Sequence, residues 1–430
     1  MLKRYITKVL ESIWFIPSVY TVLASFLAIG MVLIDTTYND EVKAYIPTYL
    51  RTSVDLAQTI LGTISGALLT MTTVTFSTIM VVLTMYSSQF SPRVLQNFLH
   101  KPSTQRMLGL FMGGFVYSIL SLLFMRKAVI SHEVISASVG VIFAVTCLAF
   151  FAYFIHNVGT SIQVSRLIRE LVDDVLCTLA KEKKGTQDYT LVWMAEKPSL
   201  SQQFSRVTEV QSPAYGYVQY IDYKKLMQWA TKQNAVIDII LPVGAFAGPE
   251  SVVAVVYHSQ ELPEVDLSSA FTLGEERSIL QDVEYGIEKI VEIALRALSP
   301  GINDPNTAIR CIHSLGVVLQ RVCELPGGTA VIYTEENTPC VLAVHPTQID
   351  YFYTAFSQIS YYGKEDASVL NAMFDALLYI ARCKISVETK GIVTQMADYV
   401  WNHFEHSVLE SMDSEILENK RQTLRLLTNK

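Results

Sequence analysis

The sequence predicts an α-helical membrane domain with four transmembrane helices, followed by a cytosolic α+β domain. Half of the 430 residues are apolar and only 17% are charged, whereas soluble proteins carry about 25% charged residues. The mean hydropathy is +0.31, and four long uncharged stretches lie in the first 165 residues. This composition argues against a soluble enzyme and against a disordered chain.

Each of the four uncharged stretches is long enough to cross a bilayer, which takes about 20 mostly apolar helical residues. The second stretch, 56–92, would run about 55 Å as one helix at 1.5 Å per residue, so one end is expected to project into the cytosol. We predict a transmembrane domain over residues 1–165, with helices at about 12–34, 56–88, 107–125 and 134–156.

Basic residues beside these stretches indicate the orientation, because Lys and Arg are retained on the cytoplasmic side of a membrane. Eight of them fall on one side: Lys3, Arg4, Lys8, Arg93, Lys101, Arg106, Arg166 and Arg169. Four fall on the other side: Lys43, Arg51, Arg126 and Lys127. The imbalance predicts that both termini are cytoplasmic.

Hydroxyl-bearing residues recur on one face of the second predicted helix. Steps of three, four or seven residues describe a single helical face, and the members of this hydroxyl stripe are Thr59, Thr63, Gly66, Thr70, Thr73, Ser77, Thr84 and Ser88. Small residues let membrane helices approach closely, so the stripe is consistent with helix packing. The alternative is that these residues line a water-filled path in an assembly of several chains, with off-stripe Thr72 and Thr75 facing lipid.

His156 is the only ionisable residue within the four stretches, and it lies near a cytoplasmic end. Proton-coupled pumps and transporters usually carry intramembrane Asp, Glu or His. The sequence therefore disfavours that class of protein and leaves a passive path or no path.

The charged residues are concentrated in the rest of the chain. Residues 1–165 carry a net charge of +4 and residues 166–430 a net charge of −11, which disfavours nucleic acid as a partner. We expect an amphipathic helix and linker over 166–187, a small mixed α/β module over 188–270 and a mainly helical domain over 271–430. Strands are predicted at 190–194, 216–221, 236–241 and 252–258, with a helix near 223–232 and a late hairpin of 330–333 with 341–344.

The segment 274–323 predicts two helices joined by a capped turn. Residues 275–298 follow a helical pattern, and Asp304 stands before Pro305 as an N-cap does before the first helical position. The positive end of the second helix could equally hold an anion. The ligand-binding candidates are Ser299, Gly301, Asn303, Asp304, Asn306 and Thr307.

The stretch 296–308, RALSPGINDPNTA, resembles the signature of an uncharacterised family of predicted bacterial membrane proteins, domain of unknown function 2254. Asn306 departs from the pattern, where an aromatic residue is expected. The resemblance implies a multi-pass protein of the bacterial inner (plasma) membrane with a cytosolic domain, and it supplies no activity. Other matching pieces are SSQFSPR at 87–93, YFIH at 153–156, GYVQ at 216–219, GEER at 274–277 and QD at 281–282.

Other candidate sites are weaker. His403, His406 and Glu410 share a helix face, but no zinc-binding motif accompanies them, so a solvated or capping role is expected. The sequence also lacks phosphate-binding, dinucleotide-binding and nucleophile-elbow motifs. We therefore predict no catalytic residue, no metal and no cofactor.

Two further groups are interpreted as structural. The six scattered cysteines are expected to be reduced and buried. A crowded aromatic group is expected in the core or at a subunit contact: Tyr351, Phe352, Tyr353, Phe356, Tyr361 and Tyr362.

The sequence favours an oligomeric, channel-like inner-membrane protein that passes ions or small solutes and is regulated by its cytosolic domain. The alternative is a non-conducting membrane sensor or scaffold whose cytosolic domain binds an anionic ligand or a protein partner. A membrane enzyme that uses the 299–307 loop is the third hypothesis. The expected partners are the lipid bilayer, further copies of the chain and a small anionic ligand.

Thiol labelling tests the predicted orientation. In a cysteine-free background, a cysteine at Asn39 should react with a membrane-impermeant reagent in intact cells, because the first loop is predicted to be external. A cysteine at Asn419 should react only after permeabilisation, which also serves as the labelling control. Labelling of the cysteine at position 419 but not of the cysteine at position 39 in intact cells would show that the orientation is the reverse of the predicted one.

Overall fold

The computed structural model describes residues 14–37, 47, 50–89, 102–125, 133–161, 163–184, 190–194, 197–198, 204–262, 265–325, 327–333 and 338–428. The chain divides into two compact units, unit 1 over Met1–Gln163 and unit 2 over Val164–Lys430.

Unit 1 contains the four predicted apolar helices. Each includes a segment that is long and apolar enough to cross a membrane, which confirms an α-helical membrane domain as a class. The helices are α1 (Phe15–Thr37), α2 (Val54–Gln89), α3 (Pro102–Phe124) and α4 (Ser136–Ser161).

Helix α3 is the centre of unit 1. Half of its apolar window is buried, against about one fifth for each of the other three helices, and it packs on all of them. Two glycines of α3 allow the close approach of α1: a Cβ atom at Gly109 would lie 3.1 Å from the Pro17 Cα, and one at Gly113 would lie 3.2 Å from the Tyr20 carbonyl oxygen. Small residues at such crossings let two backbones come near each other.

A buried carboxylate joins the end of α1 to the start of α4. Helix α1 continues past the predicted boundary at residue 34, so Asp35 lies inside it and is 3% exposed. Its two oxygens accept the backbone N–H groups of Ile135 and Ser136, at 2.9 and 3.2 Å. These are unpaired donors at the N-terminus of α4, so Asp35 caps a different helix from its own.

Unit 2 begins with α5 (Val164–Lys184) and contains two sheets. The six-stranded sheet has the order β1-β8-β9-β4-β6-β2, and the three-stranded sheet has the order β5-β3-β7. Neighbouring strands are antiparallel except for the parallel pair β4 and β9. The strands are β1 (Thr190–Met194), β2 (Arg206–Gln211), β3 (Gly216–Ile221), β4 (Val236–Ile239), β5 (Phe246–Ala247), β6 (Val252–His258), β7 (Phe271–Gly274), β8 (Gly328–Tyr333) and β9 (Pro339–His345).

The described part of unit 2 has seven further α-helices, which are α6 (Tyr223–Gln233), α7 (Val283–Leu298), α8 (Pro305–Val322), α9 (Gln348–Tyr362), α10 (Ala367–Ala381), α11 (Val387–His403) and α12 (Ser411–Thr428). One hydrophobic core of unit 2 lies where α6 and both sheets meet. Leu226 of α6 packs there with Ile237 of β4 and Val218 of β3. Alternation along β4 sends Ile237 to this core and Val236 to a smaller cluster on the other face of the sheet.

Sheet pairing differs from the predicted segmentation of the C-terminal part. The predicted hairpin forms as β8 and β9, but β9 then pairs with β4, and β1 pairs with β8. Strands from both sides of residue 270, the predicted boundary, therefore pair with each other in both sheets. In addition, α7 begins at Val283 rather than at residue 275, because Asp282 caps it by accepting the backbone N–H of Tyr285 at 2.9 Å.

Helix α5 packs on α7 and α8. Its apolar face is buried at Leu171, Val175 and Leu179. Gly286 of α7 lies directly under Val175, and a Cβ atom at Gly286 would overlap the Val175 Cγ2 methyl group. The missing side chain of Gly286 therefore sets how closely α5 and α7 approach.

Gly286→Ala is expected to lower the free energy of unfolding by about 1–3 kcal/mol through overpacking. This outweighs the gain of about 1 kcal/mol that replacing Gly by Ala usually brings inside a helix. Val175→Ala should compensate in the double variant. Thermal unfolding of the full chain in detergent micelles measures both effects.

Gly391→Ala in α11 is the matched control, because a Cβ atom there meets nothing within 4 Å. Gly391→Ala should leave the midpoint temperature of thermal unfolding unchanged or raise it. Equal midpoints for Gly286→Ala and Gly391→Ala would contradict the proposed packing of α5.

Candidate functional site

The hydroxyl stripe lies on the exposed side of α2. Its seven members from Thr59 to Thr84 are all exposed, whereas Leu61, Leu68 and Ile79 on the same helix are buried. At 100° per residue the buried set is centred opposite the stripe. Helix packing within unit 1 therefore does not use the stripe. The side chain of Ser88, the remaining candidate, lies outside the described residues.

The threonines of the stripe satisfy their own hydroxyl groups. Thr63 Oγ1 donates to the Thr59 carbonyl at 2.8 Å, and Thr70 Oγ1 donates to the Gly66 carbonyl at 3.0 Å. Thr73 and Thr84 make the same bond to the residue four positions earlier. Such bonds leave lone pairs on the oxygens while meeting the cost of placing a hydroxyl group in lipid.

The off-stripe hydroxyl groups of Thr72 and Thr75 would serve as controls for a path only if they faced lipid. Thr75 is fully buried within unit 1 and Thr72 is partly buried. Ser65 is also buried and donates to the Gly62 carbonyl at 2.9 Å. Thr72 and Thr75 lie at the helix contacts of α2, so Leu at Thr75 would disturb packing and cannot serve as a lipid-facing control.

The 299–307 loop is a compact turn between α7 and α8. The N–H groups of Ile302 and Asn303 both donate to the Ser299 carbonyl, at 3.0 and 2.9 Å, and the Asp304 N–H donates to the Ala297 carbonyl at 2.9 Å. Asn303 has a φ of 49°, a left-handed conformation that Asn tolerates better than most residues.

Asp304 caps α8 with both carboxylate oxygens. One accepts the Thr307 N–H at 3.2 Å and the other accepts the Thr307 hydroxyl at 2.6 Å. The carboxylate thus occupies the position that an anion would take at this helix end. Among the other candidates, Gly301, Asn303 and Asn306 are exposed at the loop surface. Binding of a ligand by this loop stays a prediction.

Three of the matching sequence pieces, GYVQ, GEER and QD, meet in one region of unit 2. Strand β3 holds the GYVQ piece and pairs with β7, which leads into the GEER piece. Gly274 has no side chain where Gln219 crosses it, and the Gln219 side-chain amide donates to the Glu276 carbonyl at 2.7 Å. Gln281 accepts the Ile221 N–H at 2.9 Å and donates to the Ile221 carbonyl at 3.2 Å. These contacts fix the irregular segment that precedes α7.

Arg277 gathers three carboxylates at the start of α7. Its guanidinium group donates to Asp282 at 2.8 and 2.9 Å, to Glu284 at 3.2 Å and to Glu288 at 2.7 Å. Burial raises the pKa of the Asp282 carboxyl, and the bonds from Arg277 act against that rise. One partly buried cation pairs with three carboxylates here, which is a structural network with an excess of negative charge.

A second acidic group, which the sequence analysis did not single out, lies beside this network. Glu182 is in the last turn of α5, and its Oε1 lies 4.0 Å from Nδ1 of His345 at the end of β9. The two residues are far apart in sequence, and no motif contains them. The one sequence feature that could have pointed to Glu182 is its place as a charged residue at the end of an amphipathic helix.

The two histidines considered for a metal site, His403 and His406, contact nearby backbone carbonyl groups. His403 is within 2.9 Å of the Tyr399 carbonyl, and His406 is within 3.0 Å of the Trp401 carbonyl. Among the residues that the structure describes, no three His, Cys, Asp or Glu side chains are arranged to hold a metal ion.

The aromatic and cysteine groups divide between interior and surface. Tyr351, Phe352 and Phe356 are buried, as expected for a core, whereas Tyr353, Tyr361 and Tyr362 are exposed. All six cysteines are free. Cys177 is exposed, contrary to the prediction of burial, because it lies on the outer face of α5.

The sequence profile of a family described as predicted membrane protein, domain of unknown function 2254, matches residues 10–378. The chain belongs to this family. An uncharacterised family relative from Mycobacterium tuberculosis (strain CDC 1551 / Oshkosh) is 25% identical over 361 residues, which cover 79% of this chain and 67% of the relative. An uncharacterised protein from Mycobacterium bovis (strain ATCC BAA-935 / AF2122/97) has the same identity and coverage. No solved structure matches.

Asp304→Ala is expected to lower the free energy of unfolding by about 1 kcal/mol, because Thr307 loses both of its bonds to the cap. Thermal unfolding of the full chain, with and without phosphate or other candidate anions, measures the effect. Asn306→Ala, at an exposed position of the same loop, is the control and should leave the midpoint unchanged. An unchanged midpoint for Asp304→Ala would contradict the capping role. A midpoint of the parent chain that rises when phosphate is added would support an anion site in this loop.

Proposed function

We propose that the protein is an oligomeric inner-membrane protein in which the hydroxyl stripe of α2 lines a path for ions or small solutes, with unit 2 on the cytoplasmic side as its regulator. The observation that carries this proposal is the exposure of the stripe on the side of α2 opposite its packing face. A row of threonines aimed away from the unit's own core needs either lipid, water or another copy of the chain beside it.

The chemistry of the stripe suits a passive path. Its hydroxyl oxygens retain lone pairs toward the exposed side, and no charged residue lies on α2 between Asp55 and its last residue, Gln89. Charge selectivity would then depend on the mouths of the path, where Arg51 and Asp55 lie near one end of α2. We expect modest selectivity among small ions.

The length of α2 supports a role for it in coupling. Its 36 residues span about 54 Å as a helix, well beyond the hydrocarbon thickness of about 30 Å. Part of α2 therefore extends outside the bilayer, where a cytoplasmic domain or a ligand could act on it.

A non-conducting scaffold is the second candidate. The hydroxyl groups of the stripe already bond to their own helix, so they do not require water. A Cβ atom at Gly62 or Gly66 would meet nothing within 4 Å, which leaves room for the close approach of a helix from a second copy. In that case the stripe is a contact between copies, and unit 2 would bind an anionic ligand or a protein partner.

Replacing stripe residues distinguishes these functions. Thr70→Leu and Thr73→Leu should each reduce ion flux into liposomes by about tenfold or more while the oligomer stays intact, because leucine narrows and dries a polar path. Thr146→Leu on α4 is the matched control, since Thr146 bonds to its own helix in the same way, at 2.8 Å to the Ile142 carbonyl. The control should conduct like the parent.

The oligomeric state is measured in parallel by cross-linking in the same liposomes. Loss of assembly in Thr70→Leu and Thr73→Leu would favour the scaffold, with the stripe as a contact between copies. Unchanged flux and unchanged assembly in both variants, or a parent chain without flux under voltage, tension or ligand, would refute the path.

A further inference from the structure

The last turn of α5 carries a carboxylate into the interior of unit 2. Glu182 lines a cavity of about 20 Å³ together with Asp282, Glu284, His345 and Tyr351. That volume has room for a single water molecule. The side chain of Glu182 is 14% exposed, so a full negative charge there is largely removed from solvent.

Glu182 differs from its acidic neighbours in its hydrogen bonds. Its Oε2 atom is buried and has no partner among the described protein atoms. Asp282 is bonded to Arg277 and to the Tyr285 N–H, and Glu284 accepts from Arg277 and from the Thr354 hydroxyl at 3.1 Å. Burying an ionised carboxylate without such donors costs much more free energy than burying the neutral carboxylic acid in the same place.

The charges that face Glu182 come from several packed elements. The segment before α7 and α7 itself contribute Arg277 with Asp282, Glu284 and Glu288, which together are net negative. Strand β9 contributes His345 and α9 contributes Tyr351, which both line the cavity, and the charge of Asp350 on α9 acts on Tyr351. The surroundings therefore oppose a second negative charge beside Asp282.

We propose that Glu182 is a proton-binding site that locks the C-terminal half of α5 onto α7 when it is neutral and loosens this contact when it ionises. The contact concerned includes Val175 over Gly286 and the bond from Thr178 Oγ1 to the Ile279 carbonyl at 3.0 Å. Helix α5 begins three residues after α4 ends. A change in the docking of α5 therefore acts on the chain next to the last predicted span.

The pH window follows from the two titrating groups. Burial, reinforced by the charge of Asp282, raises the pKa of Glu182 to about 8, and burial lowers the pKa of His345 to about 4. The contribution of Glu182 to docking is full below its ordinary pKa of 4.5 and is lost as the pH rises to about 8. His345 acts in the opposite sense, and its effect is complete above its ordinary value of 6.5. Loosening is therefore expected between pH 6.5 and 8.5.

Hydrogen exchange on the full chain in nanodiscs tests the proposal. After division by the intrinsic rate at each pH, the opening constant of the amides in the last two turns of α5 should rise about tenfold from pH 6.5 to 8.5. Amides of α12 are the internal reference and should not change. The Glu182→Gln variant, neutral at every pH, should show the low opening constant at both values.

Glu170→Gln on the exposed face of α5 is the control and should follow the parent chain, because the Glu170 side chain is 39% exposed and pairs with Arg166 on the same helix at 3.2 Å. A pH-independent opening constant in the parent would overturn the proposal, and this measurement needs no variant to fold. An unchanged rise in Glu182→Gln would overturn it as well. A Glu182 carboxylate that is ionised throughout and only structural would give no rise in this window.

Discussion

The packing of α5 on α7 and α8 is the interaction on which the arrangement of unit 2 depends. Val175 fits over Gly286 only because that position has no side chain, and the two ends of α5 are held separately. Arg310 of α8 bonds to Ser165 at the start of α5, while Glu182 lies in the interior at its end. The segment before α7, which carries the GEER and QD pieces, is built around the same contact through Ile279. The segment that carries the GEER and QD pieces thus contributes to the packing of α5 in unit 2.

Three buried carboxyl groups differ in the hydrogen-bond donors that surround them. Asp35 accepts two backbone N–H groups at the start of α4, and Asp282 accepts Arg277 and the cap bond of α7. Both are supplied with donors, so each serves as a fixed connection between elements. Glu182 has a buried oxygen without a donor, and the physical cost of ionising it is correspondingly greater. A buried carboxylate group is therefore a fixed connection at Asp35 and Asp282 and, in the proposal above, a proton-binding group at Glu182.

Helix α2 separates two kinds of hydroxyl group by its faces. Thr75 and Ser65 are on the side that packs within unit 1, whereas Thr70 and Thr73 are on the opposite side. A substitution on one face tests the packing of unit 1, and the same substitution on the other tests what lies outside it. This separation is what makes the proposed path and the proposed contact between copies experimentally distinguishable.

The sequence by itself determined the four apolar helices, the amphipathic α5, most strands and the Asp304–Pro305 cap, because length, periodicity and capping are local properties. It did not determine that β9 pairs with β4, that α7 starts at Val283, or that Asp35 caps α4. Those features depend on groups distant in the chain that satisfy one another only after folding. The tertiary structure alone decided which face of α2 is exposed, and it alone brought Glu182 to His345, since periodicity defines a face without stating what covers it.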